Sequence, residues 1–331
     1  MERLTIGKLR GLQQIASPDG ILTICAMDHR GSFRSMINEE DPQGVSYQEI
    51  VERKLELCAA FARHASAILI DPLFGAAQCI GRGVLPGGTG LLISIEATGY
   101  TGGKESRTTS LLEGWGVEKI KRMGASAVKI LVYFRPDLEE LAHEQLNTVE
   151  TVARDCIVHD IPFLVEPVSY PVGSEASNPE DFARRRGEIV IETAREMTAL
   201  PIDVLKAEFP ADLRYTEDKS KLLELCRQLD RASRVPWVIL SAGVDFETFY
   251  QQVEIACQAG ASGFLGGRAI WQEAMEIDNA RERTNFLATT GVNRMKRLCE
   301  VARKYAEPWY RRYQTTAGEL ADVSPHWYED Y

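Results

Sequence analysis

The feature that most constrains the fold of this 331-residue chain is a series of eight short apolar segments separated by longer amphipathic ones. Segments that are apolar throughout, rather than alternating, are typical of parallel strands covered on both faces. Eight such strands alternating with helices predict a parallel sheet closed into a (β/α)8 TIM barrel. The predicted strands are residues 21–27, 67–70, 91–95, 127–132, 162–165, 203–205, 237–240 and 262–265.

The segments between the predicted strands have the spacing of amphipathic helices, most clearly over residues 181–197, 219–229 and 245–259. No stretch rich in Pro, Gly or Ser divides the chain, so we expect a single barrel domain over residues 1–331. Residues 280–331 are interpreted as a C-terminal extension that begins as a long helix and ends as an irregular cap. A doubly wound open sheet is the alternative, but AMDHRGS after the first strand is no dinucleotide-binding turn.

Charge and cysteine content exclude several classes of protein. The formal net charge is -10 without any Lys/Arg block, which argues against a protein that binds nucleic acid. Seven cysteines without a CxxC pair fit neither a disulfide framework nor a zinc ribbon. There is no signal-peptide pattern and no apolar run of roughly 18 residues, so we expect a cytoplasmic protein without a membrane partner.

In a barrel of this type, the reactive side chains lie at the C-terminal ends of the strands. Lys129 and Lys206 each interrupt an apolar run, so we expect both to be partly desolvated beside carboxylates. Desolvation and a nearby cation lower the pKa of a lysine, and the neutral amine attacks carbonyls to form a Schiff base. A pair of structural salt bridges is the alternative. The polar residues at the predicted strand ends are Asp28, Asp71, Glu96, Lys129, Glu166, Lys206, Ser241 and Arg268.

Two glycine-bearing loops follow the last two predicted strands. Residues 241–244 (SAGV) follow the seventh strand, and residues 263–271 (GFLGGRAIW) carry the eighth into a helix. Glycines let the backbone approach an anion, NH groups at a helix start bind it, and Arg268 adds a cation. Barrels often hold phosphate at this position, so the loops predict a phosphate site. The alternative is that the glycines serve only tight turns.

Several longer motifs carry a resemblance to a known family. They are MDHRGS (27–32), AVKILVYF (127–134), EPVSY (166–170), DVLKAEFP (203–210), LSAGVDFETF (240–249) and GASGFLGGRAIW (260–271). In sequence and order they resemble the tagatose-1,6-bisphosphate aldolase family, over about residues 4–305. That family comprises class I aldolases and includes relatives that act on sulfofructose 1-phosphate.

The resemblance implies a role for each of the residues at the strand ends. Lys206 would form the Schiff base with the ketose carbonyl, and Glu166 would act as general acid/base. Lys129 would position and polarise the substrate hydroxyl or the carbinolamine. Asp28 would handle sugar hydroxyls or proton transfer near the cleaved bond. One phosphate would be held by Ser241, Gly243, Gly267 and Arg268.

The chain departs from the family after the first aspartate, where a glutamine is frequent and this sequence has His29. A histidine can donate or accept, so the preference for sugar stereochemistry stays open. We interpret His29 as a bystander rather than a catalytic base, because Glu166 already suits that task. Arg30 and Arg107 are candidates for a second anion, and surface arginines are the alternative for each.

The sequence thus predicts an aldehyde-lyase that cleaves a ketose phosphate, foremost tagatose 1,6-bisphosphate, to dihydroxyacetone phosphate and an aldehyde. The imine is the electron sink and the five histidines form no ligand cluster, so we expect no metal and no cofactor. One alternative is an aldolase for 6-deoxy-6-sulfofructose 1-phosphate. Another is a non-catalytic barrel that binds a sugar phosphate and regulates a partner. The identity of the ketose and the oligomeric state stay open, a homo-oligomer included.

Overall fold

Eight parallel strands form the core of the protein in a computed structural model that describes residues 4–313, 320, 323–329 and 331. Each strand pairs with the next along the chain, and the last pairs with the first, so the sheet closes. The predicted (β/α)8 barrel is confirmed. The strands are β1 (Leu22–Met27), β2 (Ala67–Ile70), β3 (Gly90–Ser94), β4 (Ala127–Tyr133), β5 (Phe163–Val168), β6 (Val204–Ala207), β7 (Trp237–Leu240) and β8 (Gly263–Gly266).

Helices surround the barrel, and several begin at a side chain that caps their first backbone NH groups, as Asp218 and Asp245 do. No helix of the described residues is long and apolar enough to cross a membrane. The α-helices are α1 (Ile6–Ile15), α2 (Gly31–Ile37), α3 (Tyr47–Phe61), α4 (Ala76–Gly81), α5 (Val117–Arg122), α6 (Glu139–Val158), α7 (Pro179–Met197), α8 (Lys219–Ala232), α9 (Phe246–Gln258), α10 (Arg268–Met275), α11 (Ala280–Phe286) and α12 (Val292–Tyr305). Short 3-10 turns cover Gly173–Ala176, Trp309–Tyr313 and Trp327–Glu329.

The predicted strands and helices agree with the observed ones except at their ends. The largest difference is β5, which continues to Val168 because Glu166–Val168 pair with Leu131–Tyr133 of β4. The long helix predicted at the start of the extension is two helices joined by a π-helical turn, Leu287–Gly291. Residues 314–319, 321 and 322 of the predicted irregular cap lie outside the described residues, as do residues 1–3 and 330 of the predicted domain.

The inside of the barrel is apolar in its N-terminal half. Side chains alternate between the inside and the helices, and helix α1 packs under the bottom with Leu12 and Ile15. Lys8 of α1 fixes this position through Asp203, with Nζ to Oδ distances of 3.0 and 2.9 Å. The inward-facing residues of the strands are Leu22, Ile24, Ala26, Ala67, Leu69, Leu92, Ala127, Leu164, Val204, Val238 and Leu265.

The same alternation fixes which residues face the C-terminal mouth of the barrel. The residue two positions after an inward-facing one points inward again, one layer higher. Ala127, Leu164 and Val204 are therefore followed by an inward Lys129, Glu166 and Lys206. The fold thus turns an apolar interior into a charged layer within one step along three neighbouring strands.

We expect Leu69→Ala to lower the free energy of unfolding by about 2–5 kcal/mol, because it removes a fully buried side chain from the barrel interior. Chemical denaturation measures this change. Leu73→Ala is the control, since Leu73 is 40% exposed and its truncation should change stability by no more than about 0.5 kcal/mol. Equal effects of the two variants would contradict the layered interior.

Candidate active site

Two lysines share one carboxylate at the mouth of the barrel. Glu166 of β5 lies between Lys129 of β4 and Lys206 of β6, as the strand order requires. Glu166 Oε1 is 2.6 Å from Lys206 Nζ, and its Oε2 is 2.9 Å from Lys129 Nζ. All three side chains are buried. The structure therefore brings together the three residues that the sequence predicts for nucleophile, acid/base and polarising cation.

Lys129 is surrounded by two further carboxylates. Its Nζ lies 2.7 Å from Asp28 Oδ2, at the end of β1, and 2.7 Å from Glu96 Oε1, just after β3. An ammonium has three donors, and with Glu166 each has an anionic partner. Glu96 was among the polar strand-end residues of the sequence, but it was not in the predicted catalytic set. The sequence signal was its place among the polar residues at the predicted strand ends. That Glu96 reaches Lys129 follows only from the observed register, in which Ser94 pairs with Lys129.

Electrostatic coupling sets the charge state of this cluster. Burial alone would raise the pKa of Asp28 and of Glu166, but the charges of Lys129 and Lys206 outweigh it and lower both pKa values. Burial alone would lower the pKa of Lys129, but Asp28, Glu166 and Glu96 raise it well above its ordinary value. The carboxylates thus favour the charged form of Lys129, although desolvation by itself would favour its neutral amine.

His29 lies beside the cluster without joining it. Its ring packs edge-on against Trp271, with centroids 5.4 Å apart, and its Nδ1 is 4.0 Å from Asp28 Oδ1. Burial lowers the pKa of His29 to about 3, and the cations Arg268 and Lys206 act in the same direction against the opposing charge of Asp28. The imidazole is therefore neutral.

The two predicted phosphate loops meet at the side of the mouth formed by the ends of β7 and β8. After Ser241, Ala242 and Gly243 have φ angles of 48° and 77°, a left-handed turn that turns the chain into α9. The guanidinium of Arg268, the first residue of α10, packs on Gly243, where an added Cβ would lie 2.8 Å from its Cζ. Gly267 is equally confined, because an added Cβ would lie 2.7 Å from the carbonyl oxygen of Ala26. Both glycines are thus required for close approach.

A cavity of about 730 Å³ lies beside the first of these loops, between the connections that follow β6 and β7. Ala242 and Gly243 form one wall, and Asp212 and Arg214 line the other. Neither of the two lysines lines it. The loop therefore separates this cavity from the charged cluster, and the cavity is not the place where the lysines act.

Asp71, another polar strand-end residue, does not join the cluster. Its carboxylate accepts from Lys54 of α3 and from the backbone NH groups of Leu73 and Phe74. Lys54 is fully buried and also donates to the carbonyl oxygens of Met27 and His29, at 2.7 and 2.8 Å. This ion pair supports the end of β1 from outside the barrel, so Asp71 has a structural role.

Neither of the arginines proposed for a second anion is a free surface side chain. Arg30 is buried, donates to the carbonyl of Ala97 at 3.3 Å and lies 3.8 Å from Glu96 Oε1. Arg107 belongs to the β3–α5 connection, where the antiparallel bridges Glu96 with Leu111 and Thr101 with Thr108 form a hairpin. Its guanidinium carbon lies 4.7–5.7 Å from the ring centres of Tyr100, Tyr133 and Tyr170.

The chemistry available at this mouth follows from these contacts. Lys206 is an amine that can add to a carbonyl, and Glu166 can carry a proton between it and a substrate oxygen. Lys129 can stabilise negative charge that develops on that oxygen. Glycine-bearing loops and Arg268 can hold an anion on the far side.

Comparisons with known proteins agree with this geometry. Residues 22–273 match the family model described as DeoC/LacD family aldolase. Tagatose 1,6-diphosphate aldolase of Staphylococcus aureus (strain JH9) is 30% identical over 326 residues, 92% of this chain and 98% of the relative.

Two solved structures show the same fold. Fructose-bisphosphate aldolase from Plasmodium falciparum has a TM-score of 0.71 at 13% identity, over 92% of this chain and 98% of the other. An archaeal fructose-1,6-bisphosphate aldolase, with its catalytic lysine covalently bound to the carbinolamine intermediate, has a TM-score of 0.55 at 21% identity. That match covers 89% of this chain and 98% of the other.

We expect the ring of His29 to stay neutral between pH 5 and 8, where ordinary histidines titrate, because its pKa is lowered to about 3. NMR of the histidine ring carbons and protons as a function of pH measures this. The signal of His29 is identified by its loss in His29→Gln. A His29 resonance that shifts with a midpoint of about 6.5 would contradict the neutral, packed imidazole.

Proposed function

We propose, from the premise that this chain belongs to the DeoC/LacD family of aldolases, that it cleaves a ketose 1-phosphate through a Schiff base on Lys206. The chain is thereby a lyase of the class I type, which uses an imine as its electron sink. The observation that carries the proposal is Glu166, whose two oxygens contact Lys206 and Lys129.

The contacts support Lys206, rather than Lys129, as the nucleophile. A nucleophilic amine must lose a proton before it attacks. Three carboxylates raise the pKa of Lys129 and hold it as an ammonium. Lys206 makes its ion pair with Glu166 alone among the described residues, and that carboxylate is placed to take its proton.

The reaction then proceeds as a reversible aldol cleavage. The amine of Lys206 adds to C2 of the ketose, and the carbinolamine loses water to give a protonated imine. Glu166 supplies and removes the protons of these steps. A base removes the proton of the C4 hydroxyl, the C3–C4 bond breaks to release the aldehyde, and its electron pair moves into the imine as an enamine. Asp28 takes that proton with the oxygen that Lys129 does not hold, and the charge of Lys129 stabilises the oxygen of the hydroxyl. Protonation of the enamine at C3 and hydrolysis of the imine then release dihydroxyacetone phosphate and free Lys206.

The barrel topology gives the substrate a direction. In a closed ring of eight strands, strands four apart lie opposite each other, so β7 and β8 face β3 and β4. The 1-phosphate is bound by the loops after β7 and β8, with Ser241, Gly243, Gly267 and Arg268. The aldehyde half of the substrate therefore extends toward the connection that follows β3.

We assign the second anion of the substrate to Arg107 in preference to Arg30. Arg30 faces the carboxylate of Glu96 at 3.8 Å, which would repel an incoming anion. Arg107 lies in the connection that follows β3, and three tyrosine rings hold its guanidinium. The 6-phosphate of tagatose 1,6-bisphosphate fits this place, and the similarity to the Staphylococcus aureus enzyme supports that substrate. A single guanidinium also suits a sulfonate, so 6-deoxy-6-sulfofructose 1-phosphate is the second candidate.

We expect borohydride, added together with dihydroxyacetone phosphate, to attach the three-carbon unit covalently to Lys206. Reduction of the imine makes the bond permanent, and peptide mapping by mass spectrometry locates it. Lys206→Arg is the control, since it keeps the charge but cannot form the imine. An adduct on Lys129 would reverse the assignment of the two lysines. The absence of any adduct, with activity abolished by a chelator, would contradict the Schiff-base mechanism.

We expect Glu166→Gln to lower turnover by roughly 10²–10⁴-fold, the usual effect of a lost general acid/base. Substrate binding and imine trapping on Lys206 should persist, although trapping should be slower. Steady-state rates over a range of pH separate proton transfer from charge balance. Low turnover at every pH, with the fold intact by circular dichroism, supports proton transfer. Recovery of activity at a shifted pH would mean that Glu166 only balances the lysine charges.

A further inference from the structure

Two buried polar atoms of opposite hydrogen-bonding character lie beside the charged cluster without a partner among the described residues. They are the acceptor Glu96 Oε2 and the donor Arg30 Nη1. The companion atoms are engaged, since Glu96 Oε1 accepts from Lys129 at 2.7 Å and Arg30 Nη2 donates to Ala97 at 3.3 Å. The two groups are neighbours, with Arg30 Nη2 3.8 Å from Glu96 Oε1.

Buried polar atoms are almost always paired, and exceptions at a functional site call for an explanation. Arg30 and Glu96 could have satisfied each other fully by a fork-to-fork ion pair, which is the strongest arrangement for these two groups. They do not, because Lys129 takes one oxygen of Glu96 and the Ala97 carbonyl takes one nitrogen of Arg30. One donor of Arg30 and one acceptor of Glu96 are thereby left without a partner among the described residues.

The position of this pair relates it to a particular atom of the substrate. Glu96 follows β3, which is opposite the phosphate loop after β7, so it lies on the aldehyde side of Lys129. In the proposed function, the C4 hydroxyl lies beside the ion pair of Asp28 and Lys129. Glu96 contacts the same ammonium from the end of β3, the strand beside β4. The next carbon of the substrate, C5, therefore comes beside Glu96.

We propose that Glu96 and Arg30 together bind the C5 hydroxyl of the ketose, which is the C2 hydroxyl of the aldehyde product. The hydroxyl donates its proton to Glu96 Oε2 and accepts from Arg30 Nη1. A hydroxyl can do both at once, whereas a methylene does neither and leaves both atoms unpaired. The terminal torsion of a glutamate is broad, so a small rotation brings Oε2 toward the hydroxyl while Oε1 keeps its contact with Lys129. The site thus selects 2-hydroxyaldehydes over aldehydes that lack this hydroxyl.

This inference rests on the proposed function and differs from a purely electrostatic role for Glu96. If Glu96 acted only through the charge of Lys129, its loss would slow the reaction of every aldehyde by the same factor. If Glu96 binds the hydroxyl, its loss slows the reaction of hydroxylated aldehydes by an additional factor that other aldehydes do not show. The ratio of the kcat/KM values for an aldehyde with and an aldehyde without this hydroxyl therefore separates the two roles.

The experiment measures aldol synthesis from dihydroxyacetone phosphate and either glyceraldehyde or 3-hydroxypropanal, which lacks the C2 hydroxyl. We expect the wild-type protein to prefer glyceraldehyde in kcat/KM by about tenfold or more, as for a buried, charge-assisted hydrogen bond. In Glu96→Gln the ratio should fall about tenfold, because the amide presents a donor where an acceptor is needed. Arg30→Lys keeps the charge, removes the free Nη1 and should lower the ratio in the same direction.

Glu113→Gln is the matched control, since it makes the same change at an exposed position of the same connection and should leave the ratio unaltered. Borohydride trapping with dihydroxyacetone phosphate alone tests the proposed function separately, because no aldehyde takes part. An adduct in the wild type and both variants, with the ratio lowered in both variants, supports the inference. An adduct with an unchanged ratio in Glu96→Gln and Arg30→Lys overturns it and leaves the proposed function intact. A wild-type protein that forms no adduct overturns both.

Discussion

The ammonium of Lys129, held by three buried carboxylates, is the interaction on which the rest of the site depends. Three carboxylates gathered around one point would repel each other strongly in a barrel interior without a cation between them. With Lys129 in place, Asp28, Glu96 and Glu166 all contact one ammonium at 2.7–2.9 Å. The second oxygen of Glu166 is then free to face Lys206. In the proposed function, this division leaves the charge to Lys129 and the chemical role to Lys206.

The alternation of side chains along the strands delivers these groups to one level. An apolar layer closes the barrel interior beneath the charged groups, and the closed sheet has no edge at which this layer could open to water. The cluster is therefore assembled by the regular part of the fold, with Asp28 and Glu96 just beyond their strands. The two arginines that we propose for the ends of the substrate come from the connections. Arg268 packs on Gly243, and Arg107 packs among tyrosine rings.

Much of this could be predicted from the sequence, because strand-end positions in a barrel are set by short apolar segments. Lys206 and Glu166 were predicted from such positions and from motif resemblance, and they lie together. The pairing of Asp71 with Lys54 could not be predicted, because two backbone NH groups and a distant helix decide the direction of that carboxylate. The raised pKa of Lys129 likewise depends on Glu96, whose inward direction is fixed only by the observed register of β3 and β4.

The ion pair between Lys54 and Asp71 also bears on how the specificity of this barrel can change. Lys54 belongs to the outer ring of helices, yet it donates hydrogen bonds to the carbonyl groups on either side of Asp28. A small rotation of α3 would therefore shift Asp28 through the backbone on either side of it. Mutant libraries confined to residues that line the mouth would miss this indirect effect. Substitutions on the buried face of α3, such as at Leu57 or Cys58, offer a way to adjust the site by fractions of an ångström without replacing any reactive group.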